Sequence, residues 1–175
     1  MLTNIMYPYQ KICSTKAHPR PYRAVMFIAT ISLSVAALLW TSGTAKAAGA
    51  QLSKEDLMAK GEEVYNKTCS GCHQATGQGL PGSYPPLVEG AMFNAAPSVT
   101  QPLEERGFWR DGKIQLGSVD NHIDSVINGI PGSRMFAFGG QLSDAEIAAV
   151  VTYERNAWGN NSGDVIQPAQ VKAAR

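Results

Sequence analysis

From Ser53 onward, apolar positions recur at helical spacing in three stretches, and the tracts between them are rich in glycine and proline. In the first, "SKEDLMAKGEEVYNKT" (53–68), Leu57, Gly61, Val64 and Tyr65 share one face. Ser53 stands at its N-cap, with Asp56 where a capping box has Glu or Gln. The second, "DNHIDSVINGI", repeats Ile123, Val126, Ile127 and Ile130 before glycine and proline stop it. The third carries a full capping box, Ser143 and Glu146, ahead of Ile147, Val150, Val151 and Tyr153. Glycine inside a helix costs about 1 kcal/mol relative to alanine. A close helix contact would justify Gly61, with Val150 and Tyr153 expected to meet Gly61 and Tyr65.

Three tracts break the periodicity. "GQGLPGSYPPLVEG" (77–90) is too rich in glycine and proline for helix or strand. The stretch 91–118 mixes apolar Met92, Phe93, Phe108 and Trp109 with charges, and its Asp111-Gly112 predicts a hairpin turn. The tail from Gly159 to Arg175 has no periodicity and reads as a surface extension.

Ahead of these elements lies an export signal by its grammar. Lys11, Lys16, Arg20 and Arg23 lead into the uncharged, mostly apolar run Ala24 to Trp40, and Ala45 and Ala47 then offer a small-residue cleavage site. The expected division is a signal peptide over 1–47 and one domain over 48–175. The alternative is a retained anchor, because a mostly apolar run of 17 residues approaches the roughly 20 that span a bilayer. Removing the segment changes the charge. Five of the 15 Lys and Arg lie in it and none of the 14 Asp and Glu, so the remainder holds 10 basic against 14 acidic side chains, net −4. That balance argues against nucleic acid as a partner, which a basic patch would bind.

The segment also takes Cys13 with it, leaving two cysteines, Cys69 and Cys72, directly before His73 in "CSGCH". Two exported cysteines could form a disulfide or a thioredoxin-like redox pair, but neither explains the histidine. A structural zinc site wants a fourth protein ligand, and beyond 47 the other histidine is His122, read here as exposed. CxxCH is the attachment motif of c-type haem. The thiols add across the vinyl groups, and the adjacent imidazole becomes the proximal iron ligand.

The flanks can be read for such a site. The 77–90 tract is expected to wrap the haem edge, with the Pro85 carbonyl accepting from the free ring nitrogen of His73 and Leu87 packing on the ring. Met135, in the glycine-flanked "PGSRMFAFGGQ", is the candidate second iron ligand, a soft thioether that raises the potential. Methionine is more often a core filler. Met58, on the first helix, and Met92 are weaker rivals. Trp109 or Arg110 could instead bond a haem propionate.

With Gly61, Tyr65, CxxCH, "PPL" at 85–87, Met135 and Tyr153 in this order, the sequence resembles class I c-type cytochromes. Residues 122–160 are most similar to the C-terminal cytochrome c domain of bacterial cytochrome c oxidase subunit II. The resemblance covers 53–165 apart from one segment. It implies an all-α cytochrome c fold, three or more helices around one covalent haem c, with an inserted loop or hairpin near 91–118.

Three departures qualify it. No copper domain precedes the haem motif in this sequence, so a complete oxidase subunit of the fused type is not expected. Phe136 stands where the family usually has proline after the ligand methionine. The stretch 91–118 exceeds the usual short link, and reads as a flap over the haem edge or a docking surface.

An iron held by His73 and Met135 has no open position. The expectation is therefore a periplasmic one-electron carrier of a respiratory chain, not an enzyme, serving a terminal oxidase or a dehydrogenase as shuttle or subunit. Membrane association would come through a partner complex or an uncleaved N-terminus. The rival is a haem enzyme or gas sensor whose distal iron position is open.

Overall fold

The structure is a computed structural model that describes residues 51–175; the expected export signal and its cleavage site lie outside the described residues. Helix α1 (Lys54–Val64) starts at Ser53, whose hydroxyl accepts from the Asp56 amide. It runs into a π-helical turn, Tyr65–Cys69, and the short α2, Ser70–His73. Such wide turns are rare and concentrate at functional sites. This one presents Cys69, Cys72 and His73 at the end of a helix that is itself anchored in the core.

The anchor is α5 (Asp144–Asn156), which opens on the expected capping box of Ser143 and Glu146. A Cβ on Gly61 would collide with the Ala149 carbonyl and stand 2.5 Å from Tyr153 Cβ. The two helices therefore cross in backbone contact. The partner is Ala149 where Val150 was expected, and Val150 is fully buried beside it. Tyr65, Tyr153 and Trp158 cluster at the crossing, with ring centroids 4.6 to 5.7 Å apart. Helix α4 (Val119–Asn128) is capped by Ser118 and adds Ile123, Val126 and Ile127 to the same core.

The tail is not the surface extension the sequence suggested. Ile166 and Val171 are buried, the second on α6 (Pro168–Ala173), which packs against α5. Single apolar residues separated by polar ones give no periodic signal. What holds the tail is specific bonding, from Arg155 Nε to Asp164 at 2.7 Å and from the Ile166 amide to Thr152 Oγ1 at 3.0 Å.

The insertion contributes most of a small second core. Helix α3 (Pro97–Glu105) has Pro97 in its first turn and Pro102 within it. Strands β1 (Trp109–Arg110) and β2 (Lys113–Ile114) pair antiparallel. Asp111 and Gly112 both take positive φ, 51° and 79°, the geometry of the expected hairpin turn. The α3 helix was not foreseen, because a proline inside a short polar segment reads as a break. Phe93, Leu103 and Ile114 bury themselves with Ile130, just past the end of α4. Among the described residues no helix is long and apolar enough to cross a membrane.

Candidate functional site

Between the two cores lies a mostly apolar cavity of about 420 Å³, within the range of roughly 300–1,000 Å³ common for ligand pockets. Cys69, Cys72, His73, Pro85, Leu87 and Met135 all line it. The sequence had spread these six over 67 positions, and the fold brings them to one wall system. Cys69 and Cys72 are unbridged, the first buried and the second half-buried. Burial, reinforced by the neighbouring Glu154 carboxylate, pushes the Cys69 thiol well above its ordinary value.

His73 Nδ1 is 3.0 Å from the Pro85 carbonyl oxygen. A carbonyl only accepts, so Nδ1 carries the proton and Nε2 keeps its lone pair, the form a histidine needs to bind a metal. The loop bearing Pro85 is clamped from behind. Asn160, just past α5, donates to the Leu87 carbonyl at 2.7 Å and accepts from the Glu89 amide at 2.8 Å. Asn160 is 4% exposed, and the sequence reading missed it because a polar residue in a Gly-Asn run looks like solvent-facing turn.

Met135 is partly buried and packs against both cores. Its backbone is held by the Ile130 amide, 3.0 Å from its carbonyl, and by Ser133 Oγ. Neither rival methionine lines the cavity. Met92 is 62% exposed, and Met58 packs on the main core from α1. Phe136 is exposed at the mouth. The insertion supplies the opposing wall through Val99, Leu103, Phe108 and Ile114. Trp109 Nε1 is spent on the Phe93 carbonyl at 2.9 Å, and Arg110 reaches Gln115. Trp109 therefore has no donor left for a propionate.

His122 is not exposed as expected. Its side chain is 12% accessible and lines the cavity, with Nε2 2.8 Å from Glu154 Oε2 and Nδ1 buried without a partner. The signal was present in the periodicity. Residue 154 follows Ile147 and Val150 on the inner face of α5, and residue 122 precedes Ile123 and Val126 on that of α4. Polar identity obscured their position.

These features fit a covalent haem: paired thiols, a histidine of the right tautomer and a thioether facing one apolar space. No three His, Cys, Asp or Glu side chains among the described residues are arranged to cage a metal ion. A closed zinc site is thus not assembled here. Helices carrying CxxCH at the edge of such a cavity define a c-type cytochrome domain. The family model described as "Cytochrome C oxidase, cbb3-type, subunit III" matches residues 56–153, and the chain belongs to this family.

Two cytochromes c-552 of Thermus thermophilus are each 33% identical over 107 residues, 58% of this chain and 70% and 62% of theirs. The cytochrome c subunit of the quinone alcohol dehydrogenase of Gluconobacter oxydans is 29% identical over 115 residues, 66% of this chain but 22% of that subunit. Family and relatives imply haem c and support a haem electron carrier.

Proposed function

We propose that the chain carries one electron at a time on a haem c joined to Cys69 and Cys72, with His73 and Met135 as iron ligands. The observation that carries this reading is the convergence of these four side chains on one cavity, with His73 Nδ1 already bonded to Pro85. The haem would supply reversible one-electron chemistry at its iron. The chain's own residues keep it in place and dry. Pro85 orients the imidazole, Asn160 fixes the Pro85 loop, and Leu103, Phe108 and Ile114 exclude water from the side opposite the thiols.

The apolar run before residue 47 supports export, and the site of action we propose is the periplasm. The partners proposed are a terminal oxidase or a dehydrogenase complex, since the family is named for an oxidase subunit and one relative for a dehydrogenase subunit. The resemblance of residues 122–160 to the haem domain of oxidase subunit II points the same way. Extraction of the exported protein with acidified organic solvent tests attachment. Haem should remain with the chain, and Cys69→Ala together with Cys72→Ala should abolish its retention; haem extracted from the unaltered chain would overturn covalent binding.

A further inference from the structure

The His122–Glu154 pair is unexplained by attachment or ligation. It is a buried ionisable pair in the wall of the cavity, contributed by two helices. Glu154 is 4% exposed. Its companion charges are accounted for elsewhere. Arg155, the next residue, turns away to Asp164 and the Leu116 carbonyl. On α4, Asp124 is bonded by Arg106, which also reaches Ser125, and Asp120 lies in the exposed first turn. From the α1 side, the groups facing the pair are Tyr65 and Cys69; burial first, then Glu154, pushes both upward, so neither offers a charge. Once Cys69 is a thioether it has no proton at all. His73 is engaged with Pro85.

With the Cys69 thiol spent on attachment, His122 is the one side chain among those described left bonded to the Glu154 carboxylate. With Nε2–H donated to that carboxylate, Nδ1 is a bare, buried lone pair. Such an atom is a proton acceptor without a donor.

We propose that His122 and Glu154 form a proton-binding site coupled to the redox centre of this cavity, so that the carrier takes up a proton at His122 Nδ1 as it takes up an electron. The inference rests on the haem reading above. The balance is one electron from a one-electron donor protein and one proton from solvent, and both are released on reoxidation to the acceptor. The physical reason is electrostatic. An added electron in a low-dielectric cavity favours positive charge on the wall, and an imidazolium beside a carboxylate is the form the wall can adopt.

The experiment is a potentiometric titration of the haem-loaded protein at steps between about pH 5 and 8, the span in which histidine changes charge. The potential should fall with rising pH, approaching a tenfold change in equilibrium constant per pH unit, about 59 mV for a one-electron couple. His122→Phe, whose ring can pack on Phe108, and Glu154→Gln, which keeps an acceptor for Nε2–H, should each flatten that slope. Glu154→Gln should also raise the potential. Nitrogen-15 shifts of the His122 ring should report a second bound proton in the reduced protein at a pH where the oxidised protein holds one. A flat unaltered profile, or the same slope in both variants, would overturn the proposal. If the haem reading itself fails, haem is released by solvent or the reduced protein binds carbon monoxide, whatever the slope.

Discussion

At the level of single residues, the proposed iron ligation depends on Met135 lining the cavity, which among the described residues Met58 and Met92 do not. Replacing Met135 with Ala should lower the potential and let carbon monoxide bind the reduced iron, whereas Met92→Ala should change neither. Potentiometry and a carbon monoxide difference spectrum read both. The sequence displayed Cys69, Cys72, His73, Pro85, Leu87 and Met135 because each belongs to a motif or a composition break. It hid Asn160, Glu154 and the burial of His122. Their roles are made by contacts across 32 to 73 positions, and a short polar side chain carries no mark of such a partner.

Among the elements, the crossing of α1 and α5 fixes where the CxxCH segment begins. Gly61→Ala forces a methyl group into the Ala149 backbone and should cost about 1–3 kcal/mol, as overpacking does. Gly71→Ala, whose Cβ meets nothing within 4 Å, should leave stability unchanged or gain up to about 1 kcal/mol from helix propensity. Chemical denaturation of the two variants measures the contrast. In the insertion, Leu103→Ala should cost about 2–5 kcal/mol by opening the second core. The same measurement applies.

The insertion is tied to α4 by Arg106, 2.5 Å from Asp124, and this bond holds the Asp124 carboxyl below its usual value. A carboxyl depressed in the folded state stabilises above its unfolded value, about 3.9, and loses that contribution as pH falls through the folded one. Asp124→Asn should therefore be less stable than the unaltered protein at neutral pH and equal to it in strong acid. Unfolding curves over that range check the sign. The three periodic helices were legible because each turns one apolar face inward, and Ser53 and Ser143 marked the starts of two of them. Helix α3 and the tail were not, since prolines and isolated apolar residues give no period until another element packs on them.

At the scale of the molecule, two small cores among the described residues enclose a cavity, with the thiols and His73 on the main core's helices and the insertion closing the other side. The proposed carrier needs such an arrangement, with His73 and Met135 filling the iron's coordination and the insertion shielding it. The most direct measurement is the absorption spectrum of the purified protein, oxidised, reduced, and reduced under carbon monoxide. A covalent c-type spectrum that carbon monoxide leaves unchanged is expected of a His73/Met135 iron. Ready binding of carbon monoxide would contradict it and show an open distal iron position, as a haem enzyme or gas sensor requires.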